Sequence, residues 1–322
     1  MEAWRGRVDS PDDPATFRWH QVVRPVTPDA PPGVALVGFA SDEGVRRNGG
    51  RPGAAEGPAV LRGALANLPV AHNGPLYDAG DEVCSEGNLE HAQHEFGARI
   101  SALIDAGHLP IGLGGGHEIA YANYLGLARS ASCRSQRIAI VNLDAHLDLR
   151  DGPTANSGTP FLQAIRHAQT NEIELDYLCL GVSRSANTSR LFATADAVGA
   201  RYWRDEELTL PQVEAVIAAM MDRLNSADVI YLTMCLDVLP EATAPGVSAP
   251  SARGVALEVV EPIVHAIART GRLRLFDVAE LCPRLDPAGA TARVAARLIH
   301  GVAAYRHAKR PARPAEANSV IM

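Results

Sequence analysis

The chain is almost without lysine. Of its 30 basic residues only Lys309, near the C-terminus, is a lysine, and the rest are arginine. This excludes chemistry that needs a lysine in the core, such as a Schiff base or a phosphate-binding P-loop. Positive charge is also not in excess. The formal net charge is −7 at pH 7, which argues against a basic face for nucleic acid. No apolar run is long enough for a membrane span. The first 24 residues are polar, charged and interrupted by proline, with no apolar signal core. Close cysteine pairs are missing too. Cys84, Cys133, Cys179, Cys235 and Cys282 are scattered and odd in number, a pattern of free thiols in a reducing compartment. These absences together describe a soluble cytoplasmic protein with a small-molecule substrate and no nucleic-acid or membrane partner.

What is present is the pattern of an α/β domain. The chain has 322 residues, 47% of them hydrophobic, enough to bury a large core. Residues 1–32 are rich in Pro and Asp and are expected as an irregular arm. Residues 33–308 are expected as a single domain, and 309–322 as a frayed, Pro-rich tail. Apolar runs at 33–40, 109–113, 137–143, 177–182, 229–236 and 273–278 predict strands. Helical spacing marks 55–68, 89–106 (after an Asn88 cap), 211–224, 255–269 and 290–305, with further helices after His117 and Thr159. Continuous apolar strands alternating with helices imply a mainly parallel sheet covered on both faces, a three-layer α/β/α arrangement.

In an open parallel sheet, ligands bind outside the carboxyl ends of the strands. Here four apolar strands each end in ionisable residues: Gly114-Gly115-Gly116-His117-Glu118, Asp144-Ala145-His146-Leu147-Asp148, Cys235-Leu236-Asp237, and Glu280 after Phe276-Asp277-Val278-Ala279. In extended chain, alternate residues share a side. Asp144, His146 and Asp148 would then face one way, as would Cys235 and Asp237. Carboxylate with imidazole suits Mn²⁺, Fe²⁺ or Zn²⁺. Two such ions about 3.5–4 Å apart would share and ionise one water. The glycines before His117 would leave room for backbone close to such a centre. Each segment alone also has a plainer meaning. A lone DxHxD can cap a helix, a lone buried His can be structural, and a glycine run can cradle a dinucleotide phosphate, although GxGxxG spacing is missing here. Glu118 suits the N-terminus of the next helix better than a metal. Their conjunction is what points to a site.

These segments resemble the GGxH, DAHxD and SxDxD motifs and the late glutamate of the ureohydrolase, or arginase-like, family. The stretches at 41–58 (SDEGVRRNGGRPGAAEGP), 156–161 (NSGTPF), 244–250 (APGVSAP) and 286–299 (DPAGATARVAARLI) are similar to its branch that acts on formimidoyl-glutamate. The resemblance spans roughly 33–305 and implies an arginase-like catalytic domain, a homo-oligomer, and a two-ion Mn²⁺ centre. One ion would be held by His117, Asp144 and Asp148, and the second by Asp144, His146 and Asp237. Hydrolysis of N-formimidoyl-L-glutamate to L-glutamate and formamide would follow, as a late step in histidine breakdown. Agmatine, a guanidino acid, or a non-catalytic homologue are the alternatives. Asp148 would pass a proton to the leaving amine and Glu280 would bind the amidine nitrogen. Where arginases carry a histidine, this chain has Ser157 beside Asn156. The substrate's carboxylates would meet one of Arg51, Arg150 or Arg184, each of which could equally be a surface residue. The chain departs from the family at Cys235, which replaces a bridging aspartate, at Thr233 in place of serine, and at Cys282 in place of asparagine. A thiolate at Cys235 could still ligate but would favour softer ions; as a neutral thiol it could simply fill the core.

Overall fold

The computed structural model describes residues 3–71 and 74–305, so the tail expected at 309–322 lies outside the described residues. Nine strands form one sheet: β1 (Arg24–Pro25), β2 (Val34–Ala40), β3 (Leu76–Val83), β4 (Leu109–Leu113), β5 (Ile138–Leu143), β6 (Leu175–Val182), β7 (Arg201–Arg204), β8 (Val229–Cys235) and β9 (Leu273–Ala279). Their order is β1-β3-β2-β4-β9-β8-β5-β6-β7, and every neighbouring pair is parallel. The central strands are buried along their length, as in IAIVNL of β5 and VIYLTMC of β8. Apolar residues on both faces need helices on both faces.

The helices are α1 (Trp19–Val22), α2 (Glu43–Arg47), α3 (Gly57–Ala66), α4 (Leu89–Asp105), α5 (Ile119–Arg129), α6 (Pro160–Thr170), α7 (Ser189–Ala197), α8 (Val213–Leu224), α9 (Leu257–Ala268) and α10 (Ala290–Ala304). Two apolar cores divide them. Leu61 and Leu65 of α3, Met220 of α8, Ile263 of α9 and Ile299 of α10 pack in one. Phe96 and Ile100 of α4, Tyr124 of α5, Phe161 of α6 and Leu191 of α7 pack in the other. The architecture is α/β/α, as the alternation of strands and helices implied. In α4 the buried residues Leu89, Ala92, Phe96, Ile100 and Leu103 follow helical spacing, and Asn88 caps the helix by accepting from the backbone N–H of His91 at 3.3 Å.

The described part of the arm is mostly irregular, yet it is fastened to the domain. Trp19 is buried, and the Trp4 indole donates to Asp78 at 2.7 Å. Arg62 holds the same carboxylate by two hydrogen bonds of 2.9 Å. The arm also supplies edge strand β1, paired to β3. β1, β3, β7, α1, α2 and α7 were not expected from the sequence.

The relationship that matters for function is lateral. β4, β9, β8 and β5 are four consecutive neighbours in the middle of the sheet. Because all run parallel, their carboxyl ends meet at one edge, and these are the four strands followed by GGGHE, Glu280, CLD and DAHLD. The five cysteines are free. No helix among the described residues is long and apolar enough to cross a membrane.

Candidate metal centre

Each ligand candidate is placed by the backbone at or just beyond the end of its strand. The segment after β5 is not extended, as the alternation argument required. The strand stops at Leu143 and the chain turns, with Asp148 at φ +47°. The turn is held by Leu147 N–H donating to Asn187 (2.9 Å) and by Tyr177 donating to the Leu147 carbonyl (2.9 Å). Asp144, His146 and Asp148 converge through this turn rather than through strand alternation. On β8, Cys235 is the last strand residue, and Asp237 lies in a 3-10 turn, Leu236–Val238. Glu280 leaves β9 at φ +72° and accepts from the backbone N–H of His117 at 2.9 Å. Two non-glycine residues in left-handed backbone at one site mark strain of the kind that clusters where function is built.

The glycines make room for neighbouring backbone. A Cβ on Gly115 would collide with the Ser41 carbonyl, and one on Gly114 would come 2.6 Å from the carbonyl of Val278. Gly114 and Gly115 thus let β4's exit pass between β2 and β9, and the Gly115 carbonyl accepts from the Glu280 N–H at 2.8 Å. Glu118 differs from expectation. Its side chain makes no cap bond to α5. It accepts instead from Ser41 Oγ (3.0 Å) and from the Gly44 N–H (2.9 Å), tying down the loop after β2. Burial pushes its carboxyl up to about 7.

The side chains form two sets that share Asp144. His117, Asp144 and Cys235 offer ligand atoms within 4.8 Å of one another, and so do Asp144, His146 and Asp237. His117 Nδ1 lies 2.9 Å from Asp144 Oδ2 and 3.0 Å from Asp148 Oδ2. His146 Nδ1 lies 3.1 Å from Asp237 Oδ2 and 3.5 Å from Asp144 Oδ1. The distances around His117 are those of ion pairs, but the directions are not those of hydrogen bonds. His117 Nδ1 and Asp237 Oδ1 are buried atoms without a hydrogen-bond partner. Buried polar atoms are normally satisfied, so an unpaired nitrogen in one set and an unpaired oxygen in the other fit a cation within each.

The electrostatics agree. Burial would lower the His117 imidazole, but the Asp144 and Asp148 carboxylates outweigh it and hold it well above its usual range. His146 is held up in the same way by Asp237 and Asp144. Burial would raise Asp144, but the two histidines keep it low. Burial and the charge of Asp144 push Asp148 up to about 6 and also raise Asp237. Burial, then Glu118 and Asp237, pushes Glu280 up to about 8. Burial, then Asp144, Asp237 and Glu280, holds the Cys235 thiol well above its ordinary value. Crowded carboxylates that raise one another form a site short of positive charge.

A sequence profile of the Arginase family matches residues 32–304. The chain belongs to the arginase family. It is 50% identical over 301 residues to a formimidoylglutamase of Ralstonia nicotianae, covering 92% of this chain and 93% of that one. It is 48% identical over 306 residues to a formimidoylglutamase of Aromatoleum aromaticum, covering 92% and 90%. A crystal structure of Trypanosoma cruzi formiminoglutamase with two Mn²⁺ ions superimposes with a TM-score of 0.76 at 25% identity, covering 87% of this chain and 95% of that one.

The cluster opens into a cavity of about 190 Å³ lined by His117, His146, Asp148, Cys235, Asp237 and Glu280 among others. Of the three arginines expected there, only Arg150 lines it. Arg51 spends its guanidinium on the carbonyls of Val247 and Ser248, at 2.9 Å each. It thereby clasps the 41–58 loop to the 244–250 loop. Arg184 lines another cavity, with Phe192, Arg201 and Tyr202. Ser157 lines the same cavity as Arg150, whereas Asn156 turns its Oδ1 to the Gly158 N–H (2.9 Å) and shapes the turn. Asn48, which sequence reasoning passed over, also lines the cavity, and it donates to Ser157 at 3.1 Å. The signal was available: an amide directly before Gly49-Gly50, in a loop at the carboxyl end of β2.

Proposed function

We propose that the protein hydrolyses N-formimidoyl-L-glutamate to L-glutamate and formamide at a two-ion Mn²⁺ centre. The observation that carries the centre is the pair of ligand sets sharing Asp144, with His117 Nδ1 of one set and Asp237 Oδ1 of the other left without a hydrogen-bond partner. Curated formimidoylglutamases at 48–50% identity over nearly the whole chain support the substrate.

His117, Asp144, Asp148 and Cys235 would hold one ion, and Asp144, His146 and Asp237 the other. When bound, the ions supply a water ionised near neutral pH and a Lewis acid for the amidine. This chain's residues do the rest. Glu280 receives the amidine N–H groups in charge-assisted hydrogen bonds, the amidinium charge offsetting the burial that raises its carboxyl, and its positive-φ backbone keeps the side chain at the mouth of β9. Arg150 meets the carboxylate end of the substrate, with Asn48 and Ser157 beside it. Water oxygen bonds to the formimidoyl carbon, and the bond from that carbon to the glutamate nitrogen breaks. Asp148 takes a proton from the attacking water and delivers it to the departing amine. The formimidoyl carbon leaves as formamide. Beyond the acids assigned to the ions and the amidine, the cavity offers Arg150 and no further acid for the substrate's tail, which favours an anionic tail over the cationic one of agmatine.

The test is a substrate panel on Mn²⁺-loaded protein. Formamide release from formimidoyl-glutamate, far above any release of urea from agmatine or a guanidino acid, supports the assignment. Preference for agmatine would overturn it and leave the family membership intact.

A further inference from the structure

We propose that Asp277, acting through Thr233, is a positioning residue that decides which nitrogen of His117 can ligate. The inference rests on the metal-centre reading above.

His117 Nδ1 faces Asp144 and Asp148. Its other ring nitrogen, Nε2, lies 3.1 Å from Thr233 Oγ1. Thr233 Oγ1 in turn donates to Asp277 Oδ1 at 2.8 Å. A hydroxyl carries a single proton. Once Thr233 has given it to Asp277, its oxygen can only accept from the ring, so Nε2 must carry the hydrogen. A neutral His117 then has its lone pair on Nδ1, the atom aimed into the ligand cluster. A ring with the opposite tautomer would present N–H to the ion and could not bind it. A partner on the far nitrogen is how ligating histidines are generally oriented.

Asp277 is built for this task. It is fully buried in the middle of the sheet, where a carboxylate is costly unless satisfied. Its Oδ2 accepts from Tyr231 Oη at 2.5 Å and from Asn123 Nδ2 at 2.8 Å. Those donors occupy one oxygen and leave the other for Thr233. Space is reserved for the cluster on the neighbouring strand, where a Cβ on Gly112 would come 2.8 Å from the Asp277 Cβ. The reaction itself makes no use of Asp277, Tyr231 or Asn123, so the buried network lacks another purpose unless it merely staples β8, β9 and α5 together.

The test separates these roles with Mn²⁺ as the probe, titrated by electron paramagnetic resonance into the metal-free full chain, alongside melting of the metal-free protein. Thr233→Val keeps the shape and breaks the relay; it should weaken Mn²⁺ binding about 10–100-fold. Thr233→Ser restores the hydroxyl and should restore affinity. Tyr231→Phe removes a donor from the same carboxylate without touching the link to His117. It should lower melting with a much smaller loss of affinity. Affinity losses that merely track melting losses across these variants would overturn the relay, as would wild-type affinity in Thr233→Val. A wild-type protein that binds no Mn²⁺ would overturn the metal-centre reading and the relay with it, a result distinct from either.

Discussion

Asp144 Oδ2 lies 2.9 Å from Nδ1 of His117, although the two residues follow strands β5 and β4, which are separated in the sheet by β8 and β9. The same carboxylate reaches towards His146 through its other oxygen. Asn142 Nδ2 (3.1 Å) and the His146 N–H (2.7 Å) aim it. One aspartate therefore belongs to both ligand sets. Replacing Asp144 with Asn should remove a charge from both, so that metal content drops below one ion per chain and formamide release falls to background. Elemental analysis of the purified variant beside the wild type checks this, and retention of two ions would contradict it.

Arg150 and Arg184 should part company. Arg150→Ala removes a charge-assisted contact worth roughly 1.5–3 kcal/mol, which is about a 10- to 150-fold rise in KM. Its kcat should change little, because the tail is remote from the reacting carbon. Arg184→Ala, in a different cavity, should leave both constants near wild type. Steady-state kinetics on the two variants decide between the arginines.

Cys235 stands in the first ligand set with His117 and Asp144, and its thiol is held protonated by burial and by its acidic neighbours. A neutral sulfur gives a hard ion little. Cys235→Asp should therefore tighten Mn²⁺ binding, and turnover should rise if occupancy limits the wild type. Unchanged affinity would mean that the thiol is simply a small core residue.

Metal binding should also depend on pH, in a known direction. His117 and His146 are held protonated above their ordinary range by carboxylate neighbours. Each must lose its Nδ1 proton to ligate there. Mn²⁺ affinity should rise with pH through neutrality, with protons released on binding. Calorimetry in two buffers of different ionisation enthalpy measures that release. Proton uptake, or none, would contradict the charge states.

Much of this was legible in the chain. The four buried strands that carry the site are mainly apolar runs, and the cluster of His, Asp and Glu at their carboxyl ends stands out against them. Harder to see were β3, whose burial fades along LYDAGDEV, and β7, a short edge strand of sequence RYWR. Polar or half-buried strands carry little periodic signal. The arginines were illegible for a different reason. A guanidinium reaches several partners, and Arg51 is spent on two carbonyls of a loop nearly two hundred residues away. Asp277 was given no role because a single acid within an apolar strand shows its meaning only when Tyr231, Thr233 and Asn123 are brought around it.

The central claim is that two ions share Asp144. Anomalous diffraction at the manganese edge from crystals grown with Mn²⁺ tests it most directly. Two peaks about 3.5–4 Å apart are expected, one among His117, Asp144, Asp148 and Cys235, the other among Asp144, His146 and Asp237. A map with no peak at Asp144, or with manganese bound only elsewhere on the chain, would contradict it.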